Sequence, residues 1–343
     1  MVSRPRPRHS RKVLAQSPEH SRTLPSWIYS DAALLERERE TVFGRGWCFL
    51  VHASQTAGNG TCAWGWIDDR LICLWRDGDG AIRAARVTCP ACTALAAPCP
   101  RHNDVFPSGG SPSDNGEAPL RRVRVTLVAG LVFANLDDDA PGLDSAAPTL
   151  AASLRDFLPR IEDLVLCHET RHEIASNWKV MIENSLECYH CEPCHPGFSE
   201  DVDMETYRSR DDGILTVHSG RERDGGAPFR YWYLWPLTEI DANPGERPQL
   251  SVFTRRTLGP ERFAMIGQYY RLPGDVPCAA DISGMESNAT LREDIAICEA
   301  VQRGLASRGY DRGRFIVDAG RSHISEHSVH HFQLLLGEAL DLR

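Results

Sequence analysis

One proline decides how this chain can present its most reactive residues. Pro193 stands between His190 and His195, in a stretch from Asn177 to Phe198 that also carries Glu183, Glu187, Cys188, Cys191 and Cys194. Proline cannot continue a regular helix, because it lacks the amide hydrogen and its ring collides with the preceding turn. The apolar spacing after Asn177 predicts a helix from Trp178 to Cys191. His190 then falls in its last turn and His195 returns from a bend, so two imidazoles can be aimed at one point. On that helix Glu183, Glu187 and His190 lie at i, i+4 and i+7, one face. Carboxylates beside a ligand histidine are the groups that orient its ring and fix its tautomer.

A third ligand should be a carboxylate where plain packing would not put one. The apolar pattern predicts a long helix from Leu291 to Arg308, stopped at Gly309, and Asp294 shares a face with Leu291, Cys298, Val301 and Leu305. A carboxylate inside an apolar stripe needs a cation or strong donors, since desolvating an unpaired charge is costly. Its neighbour Glu293 points about 100° away and reads as solvated. Two histidines and one aspartate form a facial set that leaves open positions on Fe(II). The residues alone keep two plainer readings open: a structural histidine pair about a proline bend, and an aspartate capping a helix start.

The rest of the chain frames these residues. Its 343 residues suffice for two domains. A net charge of −9 gives no expectation of nucleic-acid binding. No apolar run approaches the roughly 20 residues that span a bilayer, and the basic start from Met1 to Lys12 has no apolar core behind it, so the expected location is cytoplasmic. In that setting the 12 cysteines argue for buried thiols or metal ligands rather than disulfides. Short β-like runs occupy the region from Trp47 to about Asn135: Thr61 to Ile67, Leu71 to Trp75, Ile82 to Val87, Arg122 to Leu127 and Leu131 to Asn135. Beyond them the chain alternates. Helices are expected at Leu154 to Leu164 and His330 to Leu340. Strands are expected at Val165 to Ile174, Leu215 to Ser219, Tyr231 to Trp235, Gln249 to Thr257 and Arg262 to Leu272. Trp232, Tyr233 and Trp235 could wall a cation pocket, although alternate strand residues also build cores. His323, His327, His330 and His331 read as packing residues.

Asn177-Trp178-Lys179, Glu183-Asn184 and Glu187-Cys188-Tyr189-His190, followed by His195-Pro196 and Phe198, resemble the catalytic-domain signature of Rieske-type non-haem iron oxygenases. Leu24-Pro25 with Tyr29-Ser30-Asp31, and the run Gly130 to Leu136, extend the resemblance over nearly the whole chain. Tyr233-Leu234-Trp235-Pro236 and Glu293-Asp294 with Glu299 to Gly304 are similar to the glycine betaine, choline and carnitine branch. The resemblance implies an α+β fold: a small all-β Rieske-like domain, then a helix-grip catalytic domain whose curved antiparallel sheet packs against a long C-terminal helix. The expected division is a disordered basic tail at 1–24, an N-terminal helix at 25–45 packed on the catalytic domain, the Rieske-like β domain at 46–140 and the mononuclear iron domain at 141–343. It implies that His190, His195 and Asp294 hold Fe(II), that Asn184 supports them, and that Glu187 passes electrons in from a Rieske cluster on a neighbouring subunit of a trimer.

The pattern breaks at the cluster itself. A Rieske centre needs Cys-x-His and Cys-x2-His. Cys99-Pro100-Arg101-His102 supplies the second half, but Cys89-Pro90 is followed by Ala91, and only nine residues separate Cys89 from Cys99. Three readings stay open: a lost cluster, a site in which Cys89, Cys92, Cys99 and His102 hold zinc or a [2Fe-2S] cluster, and a Rieske centre completed by a distant histidine. The expected function is therefore an O2-dependent monooxygenase that hydroxylates or N-demethylates a small amine or amino-acid-derived metabolite. Its electrons would come from a reductase through a Rieske-containing partner chain, in a trimer or hetero-oligomer, with no nucleic acid and no membrane involved. The alternative is an inactive α-like subunit that scaffolds or regulates an active homologue.

Overall fold

Alternating burial along short strands builds two antiparallel sheets. β2 (Cys62–Ile67) shows the rule, with Ala63, Gly65 and Ile67 turned inward and their neighbours half-buried. The computed structural model describes residues 14, 17–56, 62–87 and 120–342. With β1 (Cys48–His52), β3 (Arg70–Arg76), β4 (Ile82–Val87), β5 (Leu120–Val128) and β6 (Leu131–Asn135), β2 forms a six-stranded sheet of order β1-β6-β5-β4-β3-β2. The sheet curls until its edges meet: a Cβ at Gly65 would stand 2.8 Å from the Leu50 Cβ, so glycine there permits the close approach of β2 to β1.

The second sheet carries seven strands: β7 (Val165–Ile174), β8 (Val202–Asp212), β9 (Leu215–Glu222), β10 (Pro228–Leu234), β11 (Thr238–Asn243), β12 (Gln249–Gly259) and β13 (Arg262–Arg271). Their order is β7-β13-β12-β11-β10-β9-β8, antiparallel throughout. One face buries Trp232, Leu234, Ile240, Leu250 and Val252 against Leu150, Leu154 and Phe157 and against Phe49 and Phe133 of the first sheet. The opposite face, with Tyr233, Phe263 and Met265, packs on residues of the helices Trp178–Ser185, Ala289–Leu305 and His327–Ala339. Helices gripping one side of an antiparallel sheet make the fold α+β. Among the described residues no helix is long and apolar enough to cross a membrane.

Several expectations need correction. The helix after Asn177 stops at Ser185 rather than Cys191. Beyond it the Cys188 amide donates to the His323 carbonyl (3.1 Å) and the Tyr189 amide to Glu187 Oε2 (2.6 Å), so the helical ladder has no donors to continue with. The helix expected at Leu154 to Leu164 is Leu150–Phe157, with Pro159 just beyond its end. Strands β1, β8 and β11 carry no clear sequence signal; every residue of β1 is buried, which hides its alternation. On Ala289–Leu305 Val301 is exposed and Gln302 is buried in its place, because a 3.6-residue period drifts away from a strict seven-residue spacing. Disorder through residue 24 does not hold from Ser17 onward: Leu24 is buried, and its amide donates to Gln333 Oε1 at 2.7 Å. Residues 1–13, 15 and 16 lie outside the described residues.

The N-terminal helix Ala32–Glu38 is tied to the helix Trp178–Ser185 by a buried charge pair. Lys12 and Lys179 are the only lysines in the chain, and Lys179 is wholly buried with its Nζ 2.6 Å from Glu38 Oε1. Trp178 Nε1 donates to the other Glu38 oxygen at 2.8 Å. Replacing Glu38 with Ala would leave the Lys179 ammonium buried without a counter-ion and is expected to cost about 3–5 kcal/mol of stability, read by chemical denaturation. One turn on, Glu183 accepts from Tyr29 Oη at 2.8 Å and from Gln333 Nε2 at 2.8 Å. Burial pushes its carboxyl up to about 7, against the pull of those two bonds and of Lys179. The folded chain thus holds this proton more tightly than the unfolded chain does, and stability declines as pH rises from about 4.5 to about 7. Glu183→Gln is expected to flatten that part of the stability–pH curve.

Candidate metal centre

The backbone break after Ser185 is what creates the centre. Leu186 ends the helix, and Glu187 folds its carboxylate back over the next turn, accepting from the Tyr189 amide. The other oxygen, Oε1, lies 2.5 Å from His190 Nδ1. The chain then makes the short turn Cys191–Cys194, with Pro193 inside it, and His195 joins that turn to the helix Pro196–Asp201. His195 Nδ1 lies 2.8 Å from Glu293 Oε2. Glu293 was expected to be solvated; it is instead a half-exposed partner that orients the His195 ring.

Both imidazoles therefore offer Nδ1 to a carboxylate and turn Nε2 inward. The two Nε2 atoms are 3.1 Å apart. Asp294 Oδ1 stands 3.0 Å from Nε2 of His195 and 3.4 Å from Nε2 of His190. Asn184 Nδ2 donates to the same oxygen at 2.6 Å. With Nδ1–H given to the carboxylates, two bare lone pairs and an anionic oxygen face one another. That arrangement is repulsive until a proton or a cation enters it. The surroundings accordingly retain protons. Burial pulls His190 down, but its bonds to Asp294 and Glu187 prevail and lift it to about 9. The bond to Asp294 likewise raises His195 against its burial. Burial pushes Asp294 up, yet the bonds from His190 and His195 hold it below the ordinary carboxylate range.

The donor set suits a divalent metal. Three atoms each about 2.1 Å from one ion, on mutually perpendicular bonds, would lie about 3.0 Å apart, close to the spacings above. Two imidazole nitrogens and one carboxylate on one face are the donors of a non-haem Fe(II) site with open positions. Among the described residues His190, His195 and Asp294 form the one group of three such donors within 4.8 Å of each other.

The other site residues divide. Cys188 and Cys191, expected as buried thiols, are joined by a disulfide, and Cys194 is a half-buried free thiol. Cys89, Cys92, Cys99 and His102 lie outside the described residues. His323, His330 and His331 bond to Met204 O, Ser21 Oγ and Gly213 O, away from the centre. A cavity of about 330 Å³ opens beside the three donors, walled by Phe229, Tyr231, Phe253 and Tyr269, with Glu239 and Asp241 on the same strand β11. Trp232, Tyr233 and Trp235 do not line it. Trp232 lies on the other face of the sheet against Phe157, and Trp235 stacks on Phe332. Period-2 alternation turned Tyr231, not Trp232, toward the metal centre.

Residues 161–341 match the family described as ring hydroxylating alpha subunit (catalytic domain). The chain is 28% identical to the carnitine monooxygenase oxygenase subunit of Escherichia coli (strain K12), across 94% of this chain and 95% of that protein. It is 25% identical to the chloroplastic choline monooxygenase of Spinacia oleracea, across 94% of this chain and 79% of that one. Its structure is similar to a solved quaternary ammonium Rieske monooxygenase whose structure bears on carnitine oxidation by gut microbiota and inter-subunit electron transfer. The TM-score is 0.76 at 27% identity, covering 94% and 96% of the two chains.

Asp294→Ala is expected to abolish iron binding while leaving the fold intact. Glu293→Ala is expected to keep the site and weaken iron affinity by about 10–100-fold, the range for losing a carboxylate behind a ligand histidine. Metal analysis after dialysis against graded chelator reads both.

Proposed function

The chain belongs to the ring hydroxylating alpha subunit family, and from that premise we propose that it hydroxylates or N-demethylates a small methylated amine at the centre formed by His190, His195 and Asp294. It is an O2-dependent oxidoreductase of the Rieske non-haem iron type, as its relatives across nearly the whole chain are monooxygenases. One observation carries the assignment: both ligand imidazoles have Nδ1 held by a carboxylate and Nε2 turned to a common point with Asp294. Fe(II) bound there would supply open positions for O2 and substrate. The protein's own residues do the rest. Glu187 and Glu293 fix the two rings, Asn184 holds the Asp294 carboxylate, and the aromatic walls of the cavity keep water from the amine.

The centre needs a supply of electrons. Glu187 is buried, touches His190 and lines the cavity, which supports a role as the point where electrons enter from a neighbouring subunit. The first half of the chain's own Rieske motif lacks its histidine, since Ala91 follows Pro90. We infer that a partner chain with an intact Rieske cluster, reduced by a reductase, delivers the electrons in a hetero-oligomer. The reading of an inactive scaffold is set aside, because the three donors converge and the relatives are monooxygenases.

The purified chain is expected to bind about one iron, without the visible absorption of a [2Fe-2S] cluster, and to turn over methylated amines only when a Rieske-containing homologue is added to the reductase. Turnover by this chain with a reductase alone would overturn the partner assignment, and failure to bind iron would overturn the function.

A further inference from the structure

The cavity beside the metal centre has a charge pattern that the proposed function does not use. Strand β11 reads Thr-Glu-Ile-Asp-Ala-Asn from Thr238 to Asn243. Ile240 and Ala242 enter the core on one face. Glu239 and Asp241 enter the cavity on the other. Glu239 is neutralised by Arg255, which is itself fully buried and does not reach the cavity wall. Even so, Glu239 Oε1 has no hydrogen-bond partner among the described residues; it and the Tyr231 hydroxyl are close without hydrogen-bond geometry. Asp241 has no ion-pair partner among the described residues. It pairs in register with Tyr231 on one side and Ser251 on the other. Asp241 is exposed, and its carboxylate opens to the cavity.

Among the described residues that line this cavity there is no lysine or arginine. An unpaired anion among aromatic rings is complementary to an amine cation, through charge and through the ring faces of Tyr231, Phe253 and Tyr269. Apart from the histidines of the centre, the donors on the described wall are neutral groups such as Asn288 and Thr290. A zwitterionic substrate whose amine sits at Asp241 would bring its anion near Asp241 and Glu239, where the described wall offers it no lysine or arginine. Resting on the proposed function, we infer that Asp241 is the specificity-determining residue of the cavity, acting as counter-ion to a cationic amine that carries no carboxylate and excluding zwitterionic amines.

The test is calorimetric binding to the iron-loaded full chain under anaerobic conditions. Three probes share one shape and differ in charge: choline, its neutral carbon isostere 3,3-dimethylbutan-1-ol, and the zwitterion glycine betaine. Choline is expected to bind about tenfold or more tightly than either of the others. Asp241→Asn is expected to bring choline to the level of the neutral alcohol while leaving the alcohol unchanged. Glycine betaine binding as tightly as choline, choline affinity unchanged in Asp241→Asn, or no binding by any probe at millimolar concentration would each overturn the assignment. The order of the probes on the unmodified chain decides the question even if the variant fails to fold. Iron content of the same samples separates the two levels: iron present without a preference for the cation overturns the role of Asp241 alone, and absent iron overturns the proposed function.

Discussion

Three electron-rich atoms cannot be held within hydrogen-bond distance of one another without a positive charge between them. His190 Nε2, His195 Nε2 and Asp294 Oδ1 are held so, and much of the surrounding structure works to keep them there. Glu187 and Glu293 prevent the rings from turning their lone pairs away. Asn184 prevents the Asp294 carboxylate from rotating out. The enclosed setting makes the arrangement favourable for a cation and unfavourable without one, which is how a binding site stores selectivity for a metal.

Rigidity on the far side of the catalytic helix matters equally. The helix Trp178–Ser185 is fixed at its start by Lys179 and Glu38 and in its middle by Glu183, Tyr29 and Gln333. These groups bind the N-terminal segment, the catalytic helix and the C-terminal helix into one polar network in an otherwise apolar interior. Satisfied networks of that kind specify one packing rather than several. The network faces away from the cavity, and Asn184 and Glu187 at the helix end face into it. One short helix thus carries structural charge at its start and leads into cavity-lining groups at its end.

Much of this was legible in the sequence, in uneven ways. The donor residues stood out because proline forces a bend between two histidines and because Asp294 interrupts an apolar stripe. Strands such as Val165–Ile174 and the helix Ala289–Leu305 followed from their periodicity. Glu293 was misread because helical spacing turned it about 100° from Asp294; it reaches His195 only because the chain after Pro193 approaches from that side. Glu239 and Asp241 were overlooked for a related reason. Strand β11 carries no clear sequence signal, and even an alternating strand does not say whether its polar face meets bulk water or a cavity. Trp232 and Trp235 were offered as cavity walls on composition, and alternation placed Tyr231 there instead. The helix end at Ser185 escaped notice because its cause is a bond from Cys188 to His323, far away along the chain.

By itself, the sequence determined which chemistry is available: two imidazoles and a carboxylate for a metal, an acidic residue beside the first histidine, and a Rieske motif with Ala91 where a ligand histidine is needed. These depend on residue identity and near neighbours, which the chain order records directly. Only the tertiary structure decided which carboxylate serves which ring, which strand face meets the cavity, and which aromatic residues wall it. Those choices turn on contacts between segments about 100 residues apart, such as His195 with Glu293. Chain order leaves such contacts open, because packing energy, and not proximity along the backbone, selects among them.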